Sequence, residues 1–594
     1  MSYNTEVVTN KNYQENVVIQ LYGEYFSICQ PDSGLVIKPF LNKTIASCVL
    51  NPTTIDLRRV STTISTFSFK IVDRYNSLSQ IIQGTGANVI GQQVRIFIGR
   101  VNVGMDFSEY KELPITRIKK IDYSDNSYNI SSSEETDRID KEIYQIKTKL
   151  AVDILAATTV ITASDSLASW PASGNIIIDK EVISYTGIDL VNNYFTGCAR
   201  AQLSSIAKEY DAGSDIFLFE TVVGNPIEII LQILTSGSGV GSYDVLESGC
   251  AIDPSLIDIT GIEELRAKHF STTQVTCYFY DISSALKLIE DQLLTPFRLR
   301  MVTNQNSKIT IKQMDPVEII GENVIDDSSI VKNPKWSVDD NKITNKIQID
   351  WDYNEITGKY LKSNTFTDAA SIATYGEKPA LKYSFKYIRE AQDGYNIIFE
   401  LQKMLLNRLS VPIPEISFNS HMDKSGLELL ERVKLTSSQT PEFDGSINFS
   451  NEVEIVSLGI NQNTGDVAFK VAFTSGSFNR FCFIAPSDMV MTVINQKTVV
   501  LPAGRGDMYR VGWKLRLYDN TARDYVAGEP VNEIVAISGD QVTFASDFST
   551  TLTTSHRLKF ANYDEVTESQ KRYCFISDSG LDFSDSKRTY VVTL

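Results

Sequence analysis

Histidine is almost missing from this chain: His269, His421 and His556 are the 3 among 594 residues. None stands in an HExxH pattern or beside cysteines at zinc spacing, so a histidine-built metal centre is not expected and each reads as structural or superficial. Cysteine is sparse as well. Cys29, Cys48, Cys198, Cys250, Cys277, Cys482 and Cys574 are odd in number, widely spaced and form no CxxC pair. They read as reduced, mostly buried small hydrophobes, and their scatter argues against a four-thiolate iron–sulfur site. No apolar run approaches the roughly 18–20 residues that span a bilayer, and the amino terminus MSYNTEVVTNKNYQENVV has no charged-then-apolar leader pattern. Neither membrane insertion nor signal-led secretion is expected. Basic residues are outnumbered, 56 Lys and Arg against 73 Asp and Glu, for a net charge of −17 at pH 7. That balance argues against wrapping nucleic acid, which takes clustered Lys and Arg, while leaving room for a negative surface past which DNA slides without sticking.

What is present is core-forming. Hydrophobic residues make up 42% and aromatic residues 10% of the chain, and a chain this long divides into about three to five domains at roughly 100–200 residues each. Phe67, Phe69 and Ile71 alternate in STFSFKIVD, and Val94, Ile96 and Ile98 in QVRIFIGR, as half-buried strands do. In SSSEETDRIDKEIYQIKTKL, Ile139, Ile143, Ile146 and Leu150 recur at helical spacing, with acids first and lysines last. This predicts a bridging helix or, with the same composition, a solvated charged linker.

IIIDKEVISYT then predicts a hairpin and NNYFTGC the next turn and strand. NPIEIILQILTS carries the clearest helix start: Asn225 as cap, Pro226 at the first position and Glu228 where a capping-box acid stands. A second amphipathic helix is predicted in DISSALKLIEDQLL through Ile282, Ala285, Ile289 and Leu293. A strand–turn–strand follows in RLRMVTNQNSKITIKQM.

Farther on, Ile347, Ile349, Trp351 and Tyr353 alternate, and IVSLGINQNTGDVAFKVAF predicts a hairpin with Val467, Phe469, Val471 and Phe473 on one face. A long helix is expected through Ile397, Leu401, Met404 and Leu405, stopped by Pro412 and Pro414. FCFIAPS at 481–487 is echoed by YCFISDS at 573–579: a duplication, an insertion boundary or chance recurrence of a short strand. Between them Val535 and Ile537 are joined through SGDQ to Val542 and Phe544 as a hairpin.

Residues that carry chemistry are not gathered. Glu134 and Glu135, Asp326 and Asp327, and Asp339 and Asp340 stand in polar stretches, as solvated loop charges do. GTGANVIG at 84–91 has Val89 where a dinucleotide fingerprint needs glycine, and TSGSGVGSYD lacks the Lys and Ser/Thr of a phosphate loop; both read as flexible connectors. Arg505, Gly506 and Asp507 read as turn chemistry rather than an adhesive tripeptide. No catalytic, cofactor-binding or metal residue is assigned, and no cofactor.

One stretch is more specific. ASWPASGNIIIDKEVISYTGIDLVNNYFTGCARAQLSSIAKEYDAGSDI holds Pro171, Gly174, Ile178, Asp179, Glu181, Ile183, Tyr185, Thr186, Gly187, Phe195, Thr196, Gly197, Cys198, Arg200, Ala212 and Gly213. Read from the residues alone, the glycines suit turns, Cys198 a buried site without a base to activate it, and Arg200 either a pairing acid or a neighbouring chain. The pattern resembles a small β module of virion and tail proteins of tailed bacteriophages. Its order with NPIEIILQILTSGSG, ALKLIEDQLLTPFRLRMVTNQNSKITI, NKITNKIQIDWDYNEITGKY and YGEKPALKYSF is similar to that of tailed-phage baseplate hub (tail-tip hub) proteins. LELLERVKLT departs from that family's Gly-Asp pair before the strand.

The resemblance implies a mainly β, α+β, multidomain chain. Its parts would be a first tube-like β hub domain at 1–150, a small inserted β module at 151–220, a helical and α+β hub domain at 221–330, a second tube-like β domain at 331–480 and a C-terminal β module at 481–594. It also implies a non-enzymatic homotrimer in the virion tail tip, assembled in the host cytoplasm, whose paired β-barrel or sandwich domains form a pseudo-sixfold ring. Implied partners are the distal tail ring protein, tail tube and tape-measure proteins, a central fibre or spike, and genomic DNA in transit, gated at ejection. A receptor-contacting tail-tip protein is the alternative reading. A tail-associated cell-wall hydrolase is a third, without a signature here.

Overall fold

The computed structural model describes residues 14–28, 45–314, 324–472 and 490–560, apart from short internal stretches, together with the strands Asn479–Cys482 and Cys574–Ser577. The fold is mostly β with some helix, as expected. It divides into two compact units, the larger spanning 1–315 and 323–474 and the smaller 316–322 and 475–594. No helix among the described residues is long and apolar enough to cross a membrane.

The larger unit begins with an eight-stranded antiparallel sheet built from the predicted alternations. Thr66–Val72 buries Phe67, Phe69 and Ile71 and lies between Ser127–Ser133 and Ile45–Asn51. Gln93–Val101 buries Val94, Ile96 and Ile98 and pairs with Gln14–Leu21, so the side chains of period two meet in one core. A helix not anticipated from the sequence, Ser77–Thr85, starts where the buried Asp73 accepts from the Leu78 and Ser79 amides at 2.9 and 3.1 Å. Gly84 therefore belongs to a helix and not to a flexible connector, and Gly91 donates to the Ile118 carbonyl at 2.8 Å; Gly86 lies outside the described residues.

A second eight-stranded sheet is formed chiefly by Arg432–Pro441, Ile447–Asn461, Asp466–Ala472, Glu415–Ser420 and Ile330–Ser337. The expected hairpin is there, with Val467, Phe469 and Val471 buried; Phe473 lies outside the described residues. A hairpin from far upstream, Thr53–Asp56 with Ser61–Thr63, joins this sheet through Thr54 opposite Ser457. The long helix Gly394–Leu409 buries Leu401, Met404 and Leu405. Its buried Arg408 donates to the Glu454 carboxylate and the Met314 carbonyl, tying helix to sheet inside the core.

The segment 131–150 is neither the predicted helix nor a linker. Only Glu135–Ile139 turns, as a 3₁₀-helix; Ile143 then bridges to Ile282, and Lys147–Lys149 pairs with Asp215–Gly224. Ile139, Ile143 and Leu150 are buried, but Ile139 ends the 3₁₀-helix and the other two lie in bridge pairing beyond it, and Tyr144 adopts φ +56°, which a helix excludes. Edge pairing offered by distant strands overrode the local helical spacing.

Helix Pro226–Thr235 forms as read, Asn225 accepting from the Ile227 amide at 3.0 Å. Glu228 does not close a capping box; it pairs with Arg266 of the helix Ile259–His269. The second amphipathic helix starts later than its stripe, at Ala285, capped by Ser284, and passes into a π-helical turn at Ile289–Leu294. Ala285, Ile289 and Leu293 are buried, whereas Ile282 precedes the helix. The hairpin Leu299–Thr303 with Ile309–Gln313 follows as predicted.

The smaller unit has its own core, with Met491, Val499, Trp513, Leu515, Leu517, Ile534, Val542 and Phe544 buried inside a seven-stranded sheet. The SGDQ hairpin joins Asn532–Ser538 to Gln541–Phe544, but a bulge at Ile534/Ala536 puts Ile534 in the core and leaves Val535 46% exposed. The echoed segments are partners: Asn479–Cys482 pairs antiparallel with Cys574–Ser577, Phe481 opposite Phe575. Two similar short strands thus close on each other at either end of this module.

Candidate functional site

The stretch that carries the marker pattern is built around a buried ion pair. Ile178 and Glu181 end a two-residue hairpin whose first turn residue, Asp179, sits at φ +53°. The turn leaves the Glu181 carboxylate under the adjacent strand Ala199–Gln202. There Arg200 meets it as a fork, Nε to Oε1 and Nη2 to Oε2 both at 2.7 Å. The same guanidinium donates to the Leu155 carbonyl at 2.6 Å and the Lys208 carbonyl at 2.7 Å, while Glu181 accepts from the Ala201 and Lys208 amides. Burial works against the charge on Glu181, and the bonds from Arg200, Lys208 and Ala201 override it, holding the carboxyl below its usual range. Of the two options left by the sequence, the arginine takes the acid.

Other marker residues pack into the continuous core of the larger unit. The Tyr185 hydroxyl donates to the Pro171 carbonyl at 2.9 Å, and the ring of Phe195 packs edge-on to Tyr185 and Trp170. Gly197 needs its φ of +63° and lies where a Cβ would stand 2.1 Å from the Thr186 hydroxyl. Cys198 is buried, donates to the Phe195 carbonyl and has its thiol pushed up to about 11 by burial. Cys250 and Cys277 are likewise free and buried. Cys29 and the side chains of Cys48, Cys482 and Cys574 lie outside the described residues.

The remaining candidates are dispersed and structural. His556 accepts the Thr553 amide on Nδ1 at 3.1 Å, and the His421 amide donates to the Ser329 carbonyl; the His269 side chain is outside the described residues. Among the acid pairs, Asp326 accepts the Ser328 and Ser329 amides, Asp327 the Ser438 amide and Asp339 the Asn341 amide, while Asp340 pairs with Lys378 at 2.7 Å. Glu134 accepts the Thr303 hydroxyl; the Glu135 side chain is outside the described residues. These acids are caps and anchors rather than merely solvated charges. TSGSGVGSYD is pinned as well, because Asp244 accepts the amides of Gly237 and Gly239 at 2.8 and 2.6 Å. Its amides are already occupied by the chain's own carboxylate. The Gly506 amide is bonded to Asp540 at 2.8 Å, and Arg505 and Asp507 lie outside the described residues. Among the described residues no group of three or more His, Cys, Asp or Glu is placed to hold a metal ion.

One concave site was not read from the sequence. The six-stranded sheet around this stretch is apolar on both faces: Ile176, Ile178, Ile183 and Leu218 enter the main core, while Ile177, Val182 and Phe219 form a separate cluster with Tyr278 and Tyr280. That second face is only partly covered, by the turn between Lys346–Asn354 and Lys359–Thr367, where Lys180 Nζ reaches the Thr357 carbonyl at 3.5 Å. Two cavities of about 250 and 440 Å³ remain, with Tyr278 and Glu355 lining both. The Arg389 guanidinium lies 5.4 Å from the Tyr278 ring centre, and Lys386 Nζ 5.2 Å from that of Tyr353. Asp291 and Gln292 of the π-helical turn line the larger cavity. The signal in the sequence was TCYFYD: a short strand aromatic or apolar at nearly every position asks for cover on both faces.

No family model matches the chain, and no curated protein matches it. Among solved structures it is similar to a tail protein from Neisseria meningitidis, at 7% identity over 78% of this chain and 98% of the other, TM-score 0.35. It is also similar to a prophage tail protein from Listeria monocytogenes, at 11% identity over 77% of this chain and 94% of the other, TM-score 0.33. A tail protein of prophage MuSo2 from Shewanella oneidensis gives 8% identity over 77% and 98%, TM-score 0.34.

Proposed function

We propose that this chain is a structural protein of a phage tail: a non-enzymatic hub at the tail tip or baseplate, working as a homotrimer. The observation that carries the reading is the stitching of the larger unit. The hairpin Thr53–Asp56 and Ser61–Thr63 leaves the first β region and completes the sheet formed from residues 324–472. Two β regions held in this way belong to one compact unit, which suits a subunit supplying two positions of a pseudo-sixfold ring. The marker module supports it, since its Glu181–Arg200 pair, glycines and cysteine are all consumed by architecture. The proposed neighbours are the distal tail ring, the tail tube and tape-measure proteins, and a central fibre or spike, with DNA passing an acidic lumen at ejection.

Native mass measurement of the purified chain, alone and with its ring partner, tests the proposal. A threefold mass is expected; a strict monomer under both conditions overturns it. The separate core of the smaller unit favours one second reading, a receptor-contacting tip protein with this module as its binding face.

A further inference from the structure

We infer that the two neighbouring cavities, lined in common by Tyr278 and Glu355, form a saccharide-binding cleft. Its walls carry half-buried aromatic rings, Tyr278, Tyr280 and Tyr353, and none of their hydroxyls has a hydrogen-bond partner among the described residues. Rings of this kind meet the C–H side of a pyranose with whatever face is uncovered and its hydroxyls with a polar edge; here Phe219 stacks on Tyr278 at 5.6 Å and Lys386 stands 5.2 Å from the centre of Tyr353, so each ring has one neighbour already in place. Glu355 lines both cavities with no hydrogen bond to a described residue; its near cations are Lys386, which lines the larger cavity with it, and Arg389 at 3.8 Å, beyond hydrogen-bond reach. Buried Nη2 of Arg389 is also without a hydrogen-bond partner. A half-buried carboxylate left in this state calls for an outside donor, and the vicinal hydroxyls of a sugar supply two.

The charge pattern selects against other ligands. Lys180, Lys287, Lys386 and Arg389 are matched in the lining by four acids, a balance that gives a phosphate or an acidic peptide no net attraction. A purely apolar occupant would bury Glu355, Asp291 and Gln292 against carbon. The π-helical turn that presents Asp291 and Gln292 is a backbone form found mostly at functional sites. Gln292 is locked in place, donating to the Ser384 carbonyl at 3.1 Å and accepting the Lys386 amide at 2.7 Å, so the wall is preformed. The cavity sizes suit a short oligosaccharide lying across both.

Saturation-transfer NMR on the full chain, with chitotriose and maltotriose as probes, tests the inference. At least one probe should show transfer to its ring protons, with a dissociation constant on the order of 0.1–10 mM. Tyr353→Ala and Glu355→Gln should each weaken binding about tenfold or more. Tyr353→Phe, which keeps the ring, should weaken it less, and unchanged circular dichroism and melting would confirm that the variants fold. No transfer from either probe at about 10 mM, or binding indifferent to both weakening variants, overturns the inference. So does loss of binding on assembly with Tyr353 becoming protected, which makes the cleft a subunit contact. The hub proposal stands apart: a monomer that binds the probes sinks the hub and keeps the cleft, and a trimer that does not bind them does the reverse.

Discussion

Glu181 loses its solvent on folding, with 0% of its side chain exposed and 7% of that of Arg200. A carboxylate so placed is held chiefly by the fork of the guanidinium and two backbone amides. Removing one partner strands the other, so Arg200→Ala should destabilise the larger unit by about 3–5 kcal/mol in a denaturant titration. The folded carboxyl titrates below the unfolded value of about 4.3. Its contribution is therefore complete above that value and is lost as pH falls through the folded one. The melting gap between the native chain and Glu181→Gln should be constant near neutrality and close below about pH 4. Burial also sets the cysteines: Cys198 is raised to about 11 and Cys250 to about 12, and Cys277 is raised further. At pH 8 these three thiols should resist iodoacetamide in the native chain and react once it is unfolded, as peptide mass mapping would read. Both partners of the ion pair stood in the marker pattern, but their pairing depends on a hairpin register that spacing alone does not reveal.

Several elements with a local cause were legible in the sequence, although the helix Ser77–Thr85, started by the nearby Asp73, was not, and the contacts set by distant segments were missed. Asn225 and Pro226 start their helix from within one turn, and both were read. Glu228 answers to Arg266 on another helix, and no local rule points there. The same contrast explains 131–150, where isoleucines at helical spacing are drawn into strand pairing by residues 215–224 and Ile282. In the smaller unit one bulged residue moved Val535 from the expected core face to the surface. The cleft escaped for a related reason, since Tyr278, Glu355 and Arg389 come from three separate segments. Asn225 gives the sharpest test at this scale. Its Oδ1 caps the helix and its Nδ2 donates to the Phe270 and Thr273 carbonyls, holding the loop after the next helix. Asn225→Ala should cost about 1–2 kcal/mol, near the top of the range for a cap. Asn225→Asp keeps the cap and loses the donors, so it should fall between the two in a chemical melt.

The whole molecule joins two kinds of cohesion. In the larger unit the core is continuous from Val17 to Ala472, and the upstream hairpin at 53–63 binds the first β region to the second sheet. The smaller unit closes on itself, with its own core, and its flanking strands Asn479–Cys482 and Cys574–Ser577 pair with each other. A segment entering and leaving through adjacent strands has its ends close together, which is the geometry that tolerates insertion or removal. Two cores that form separate clusters among the described residues are also expected to melt as two transitions rather than one. Calorimetry of the full chain should therefore show two endotherms, and replacing residues 487–572 by a short glycine–serine turn should abolish one and leave the other within about 2 °C. If that variant still gives the threefold mass but fails to adsorb to host cells, the receptor-contacting role belongs to the smaller unit and the hub role to the larger. If instead the larger unit aggregates or its transition shifts by about 10 °C, the two cores depend on each other and the division into an architectural block and a separate binding module is wrong.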